Sequence, residues 1–98
     1  MKRKRCYISG RITGLPRMEA ERNFSSAVLR VFKMGYTPIN PLNNGVPRWM
    51  PWIVHMAVDI CTLLTCDCIA LQDNFKESRG AMIEYRIAQR FSKHIILI

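Results

Sequence analysis

Glu84 ends the stretch Ser78-Arg79-Gly80-Ala81-Met82-Ile83-Glu84, and it is a carboxylate on the apolar side of a helix. Ser78 suits the cap of that helix, because its hydroxyl can accept a bond from a first-turn N–H. Gly80 lacks a Cβ, which lets a ligand approach the backbone. At helical spacing Glu84 falls with Ala81, Ile87, Ala88 and Phe91, away from the polar set Arg86, Gln89, Arg90 and Lys93. A carboxylate so placed costs stability unless it is solvated or paired. Either it lines a pocket, or it sits at the edge of the stripe and reaches water.

Two other stretches carry chemistry. The segment beginning at Pro51 and running to about Leu64 reads as a helix, apolar on nearly all sides and therefore expected to be well buried. Its polar exceptions His55, Asp59 and Thr62 share one stripe. That stripe is either an exposed strip with a His–Asp pair or a line that turns Asp59 into a pocket. A metal site would need more converging ligands, so neither metal nor cofactor is expected. Gly10-Arg11-Ile12-Thr13-Gly14-Leu15-Pro16 follows a short strand. Such a loop is an ordinary tight turn or a cradle whose backbone N–H groups hold phosphate. Arg11 within it is a solvated loop residue or a bidentate phosphate clamp.

The elements that must position these residues alternate. Arg5 to Gly10 reads as a strand ended by its glycine, Tyr36 to Ile39 as a second stopped by Asn40-Pro41, Asp67 to Leu71 as a third and His94 to Ile98 as a fourth. Met18 to Met34 has helical periodicity, with Gly35 where a C-terminal cap belongs. Leu42 to Arg48 and Gln72 to Glu77 are polar loops. The order β-α-β-α-β-α-β, with right-handed crossovers, predicts a flavodoxin-like α/β domain: a four-stranded parallel sheet of order 2-1-3-4 with helices on both faces. Ligands of such sheets bind beyond the carboxyl ends of the strands where the winding reverses. That point lies between strands one and three, so the loops leaving them, Tyr7 and the Glu84 helix are expected to share a crevice.

The 98 residues, 49% of them apolar, suffice for one small domain, whose modest core self-association would help. No apolar run is long enough to span a bilayer and no signal-type segment follows the basic start, so a cytoplasmic location is expected. The net charge is +8, four of it from Lys2-Arg3-Lys4-Arg5. That run reads as a solvated, flexible start or as a nucleic-acid contact, although no helix-turn-helix, zinc-finger or RNA-binding strand signature accompanies it. A small anionic substrate fits the charge equally well. Cys6, Cys61, Cys66 and Cys68 lack C-x-x-C spacing and are expected to be reduced and to fill core space.

Taken in order, several short matches resemble the nucleoside 2-deoxyribosyltransferase-like superfamily, and within it a small bacterial and phage family. They are Tyr7-Ile8-Ser9-Gly10 with Ile12-Thr13-Gly14, Phe24, Asn40-Pro41, Trp52, Asp59, Cys66-Asp67, and Ser78-Arg79-Gly80-Ala81 with Glu84. The resemblance implies a Glu84 nucleophile at a sugar's anomeric carbon, Tyr7 as its hydrogen-bond partner, and Asp59 orienting the substrate or moving a proton. It places Gly10, Ser78 and Gly80 around a 5′-phosphate, with Arg11 and Gly14 in the same loop region. Asp73-Asn74-Phe75 stands where the family often has Pro-Gly-Trp, and Phe75 is a candidate to stack on a base. Larger relatives complete their sites from a neighbouring subunit near the C-terminus; here that contribution is missing or comes from elsewhere. The implied activity is cleavage of the N-glycosidic bond of a nucleoside or nucleoside 5′-monophosphate by hydrolysis or deoxyribosyl transfer, without metal or cofactor, by a homo-oligomer. The alternatives are a nucleotide-binding module without turnover and a basic accessory protein that binds nucleic acid through residues 2–5.

Overall fold

A computed structural model describes residues 3–98. Four strands, β1 (Arg5–Ser9), β2 (Thr37–Ile39), β3 (Cys68–Leu71) and β4 (His94–Leu97), form one parallel sheet in the order β2-β1-β3-β4. Between them run α1 (Arg17–Lys33), α2 (Trp52–Leu64) and α3 (Arg79–Arg90). This is the expected flavodoxin-like arrangement. β3 is buried at all four residues because helices cover both sheet faces.

Side-chain alternation along β1 divides the core. Cys6 and Ile8 pack with Phe24, Ala27 and Val31 of α1. Tyr7 packs on the opposite face with Leu63 of α2 and Ala81 and Ala88 of α3. Ser9, two residues beyond Tyr7, shares that second face and is 1% exposed. The chain thus puts two hydroxyls under α3.

α1 closes as its sequence implies. Gly35 adopts φ +99°, and the Tyr36 N–H reaches back to the Val31 carbonyl at 3.3 Å. Arg3 does not trail away as part of a flexible start. Its Nε donates to the Gly35 carbonyl at 2.9 Å, Nη2 donates to the Phe32 carbonyl, and the guanidinium lies 4.2 Å from the Phe32 ring centroid. A cation there complements the negative end of α1. Lys2, of the same basic run, lies outside the described residues.

Three expectations need correction. α2 is not well buried: Met56, Asp59 and Leu63 face inward, while Ile53 is 66% exposed and Leu64 is 40% exposed. The helix packs on its neighbours along one side, and among the described residues no further layer covers the other. Cys61 is on that outer side and exposed, whereas Cys6, Cys66 and Cys68 are buried, and all four thiols are free. Phe91 leaves the inward stripe because α3 ends at Arg90, so its ring is exposed. Among the described residues no helix is long and apolar enough to cross a membrane.

Candidate active site

Ser78 sets where α3 starts. Its Oγ accepts the Ala81 N–H at 3.1 Å, and the helix begins just past the carboxyl end of β3. The first turns of α3 then lie over β1, with Glu84 facing that strand and 5% exposed. Tyr7 Oη donates to Glu84 Oε2 at 2.5 Å, and Ser9 Oγ donates to Oε1 at 2.7 Å. Each carboxylate oxygen therefore has a hydroxyl from the same face of one strand. Of the two readings of Glu84, the geometry selects the pocket.

Burial is the largest influence on this acid and pushes its pKa up to about 7; the two hydroxyls oppose the rise, and the charge of Asp59 adds to it. Burial, followed by the charges of Glu84 and Asp59, holds the Tyr7 phenol well above its ordinary range, so it remains a proton donor.

Asp59 faces inward from α2 and is 7% exposed. Burial raises its pKa, while the hydrogen bond from Asn44 pulls the other way. The Asn44 amide nitrogen lies 3.0 Å from Asp59 Oδ1 and 3.3 Å from His55 Nδ1, and His55 Nε2 lies 3.1 Å from the Pro47 carbonyl. A carbonyl can only accept, so Nε2 carries the imidazole proton and Nδ1 is the acceptor. Asn44 then gives one amide hydrogen to Asp59 and the other to a neutral His55. The amide is fixed in turn, because its Oδ1 accepts the Val46 N–H at 2.9 Å. Asn44 is a functional candidate that the sequence reading missed. Asn43-Asn44-Gly45 signals a turn, and nothing in it names the amide's partners.

Tyr7, Asp59 and Glu84 open onto one cleft of about 330 Å³ together with Gly10, Ser78 and Gly80. Trp52 and Met56 form part of its wall, and the Arg79 guanidinium lies 5.1 Å from the Trp52 ring centroid. The glycines serve neighbours more than a ligand. A Cβ at Gly10 would lie 2.5 Å from Gln72 Nε2 and 3.2 Å from Asn74 Oδ1; at Gly80 it would lie 3.1 Å from Met56 Sδ.

Arg11, Gly14 and Phe75 do not line the cleft. Arg11 turns back on its own loop, Nε donating to the Thr13 carbonyl at 3.2 Å, and its guanidinium fills the space beside Gly14 at φ +87°. Phe75 is core, 8% exposed and edge-on to Tyr85 with centroids 5.5 Å apart. The cations that do line the cleft are Arg17 and Arg48. Both reach Glu21 Oε1, Arg17 Nε at 3.1 Å and Arg48 Nη2 at 3.3 Å. Among the described residues no three His, Cys, Asp or Glu side chains converge as a metal site.

The parallel 2-1-3-4 sheet, with an acid-lined cleft at its carboxyl edge, matches a solved deoxyribosyltransferase in fold. The solved structure of a 2-desoxiribosyltransferase from Leishmania mexicana superposes with a TM-score of 0.67 and 20% sequence identity. The match covers 97% of this chain and 63% of that one, so the chain spans less than two-thirds of that relative's length. Residues 4–97 match the family described as "Domain of unknown function (DUF4406)", and the chain belongs to that family. No curated protein sequence matches it.

Proposed function

We propose that the cleft breaks the N-glycosidic bond of a nucleoside or nucleoside 5′-monophosphate. The observation that carries this reading is Glu84, buried against the cleft with one hydroxyl on each carboxylate oxygen and a second acid nearby. Ionised Glu84 attacks the anomeric carbon as the C–N bond to the base breaks and its electron pair leaves with the base. Asp59, whose proton affinity burial raises, gives a proton to the departing base. The product is a glycosyl ester on Glu84. Water attacking the ester gives hydrolysis, and a second base gives transfer.

Tyr7 and Ser9 hold the carboxylate at a fixed angle, and Asn44 does the same for Asp59. With its pKa raised to about 7, Glu84 is about half protonated near neutral pH. The positive charge that develops on the sugar favours its ionised form, so the stabilisation acts where the reaction needs it.

The experiment is incubation of the protein with nucleosides and their 5′-monophosphates, with released base read by chromatography. Release that disappears in Glu84→Gln is expected. No release from any compound, or release retained by Glu84→Gln, overturns the proposal. A binding module without turnover is the second reading, and the raised proton affinity of Glu84 is what favours it; saturable nucleotide binding without base release would establish it. Nucleic-acid binding through residues 2–5 is weakened as a reading because Arg3 is engaged with α1. Self-association belongs to the same proposal, supported by the apolar outer side of α2, and sedimentation velocity tests it.

A further inference from the structure

The cleft is lined by both signs of charge, Asp59 and Glu84 on the one hand and Arg17 and Arg48 on the other. The proposed chemistry uses neither arginine. They come from separate elements, the first residue of α1 and the loop before α2, yet both point at a single oxygen of Glu21. The three side chains are 36%, 69% and 49% exposed, and ion pairs in such settings are weakly held. Each guanidinium offers several N–H donors, and among the described residues each side chain makes one hydrogen bond. The helix that Arg17 opens also has no side-chain cap.

The groups expected to cradle phosphate are occupied locally. Ser78 Oγ accepts from the Ala81 N–H, the side of Gly10 is filled by Gln72, and Arg11 is folded onto Thr13. We propose that Arg17 and Arg48 are the seat of a phosphate monoester, with Glu21 as a stand-in anion that the phosphate displaces. The tetrahedral phosphate presents oxygens to both guanidiniums at once, where one carboxylate oxygen now serves both. Repulsion from Asp59 and Glu84 keeps the phosphate on the arginines and leaves the uncharged sugar carbon for Glu84. The cleft's substrate is therefore the phosphorylated glycoside and not the neutral one. This rests on the glycoside reading of the cleft given above.

The test is calorimetric titration of the full chain with matched nucleosides and nucleoside 5′-monophosphates, and with inorganic phosphate as competitor. The monophosphate is expected to bind at least about tenfold tighter than its nucleoside. Arg17→Gln and Arg48→Gln should each weaken monophosphate binding by about tenfold and leave nucleoside binding unchanged. Glu21→Gln should tighten monophosphate and inorganic phosphate binding, which a merely structural Glu21 would not do. Glu84→Gln should keep the preference while losing base release. Equal binding of the two ligand forms, or a preference untouched by both arginine variants, overturns the seat. If the preference persists but no base is ever released, the glycosidase reading falls and the seat stands. Base release with no phosphate preference has the reverse meaning. Circular dichroism of each variant confirms that the fold is intact.

Discussion

Replacing Glu84 with Gln keeps the side-chain shape and removes a charge that must otherwise be carried in a buried place. Burial holds this carboxyl at a pKa of about 7, against the model-compound value of 4.5. Between those values the folded chain binds a proton that the unfolded chain has released, so folding weakens as pH rises through the window. Below it both states are protonated and the penalty is absent; above it the full penalty remains. From pH 5 to pH 8 the loss is about 2 to 3 kcal/mol from this one residue. In a domain of this size that corresponds to a midpoint change of roughly 10 to 20 °C. Glu84→Gln has no such term, so its stability relative to the parent should climb by that amount over the same range. Urea unfolding of both proteins across pH 5–8 measures it, and taking their difference cancels the other titrating groups. Parallel curves would refute the argument, because they would mean that Glu84 ionises as it does in water.

Base release should follow a bell in pH, rising as Glu84 ionises and falling as Asp59 loses the proton it gives to the base. In Tyr7→Phe that rise should move about one pH unit higher, since a donor to the ionised acid is lost. Asn44→Ala should cost about 1–3 kcal/mol in chemical denaturation, because Asp59 Oδ1 loses its amide partner in a buried setting. Gly10→Ala should lower stability by about 1–3 kcal/mol, since its Cβ meets the Gln72 amide. Gly80→Ala should cost less in the same chemical denaturation, because the Met56 thioether it presses on can rotate away.

The sheet order and the inward side of Glu84 are legible in the sequence for physical reasons. Alternating strands and helices leave few right-handed ways to wind, and a carboxylate on an apolar stripe is an anomaly that needs a partner. Ser9 shares the face of Tyr7, because a strand returns to the same face at every second residue, yet the sequence reading did not single it out as a partner of Glu84. The misplacements all depend on where loops turn. Arg11 has a phosphate-like position along the chain, but a tight turn with the Leu15 N–H on the Ile12 carbonyl folds its side chain home. Phe75 sits in a short 3₁₀ turn, Phe75–Glu77, that drives its ring into the core. Arg17, Arg48 and Asn44 enter from segments whose spacing in sequence says nothing about their meeting. The exposure of α2 escapes an apolar count for another reason: uniform hydrophobicity cannot say which side has a neighbour.

The one-sided packing of α2 has a practical use. Cys61 stands two residues beyond Asp59 and on the outside of the same helix, while burial pushes the thiols of Cys6, Cys66 and Cys68 up and shields them from alkylation. At dilutions that keep it monomeric, the native protein should therefore take a single maleimide dye at a known address. A fluorophore there would ride on the back of the helix that carries Asp59, and could follow its motion during ligand uptake without entering the cleft.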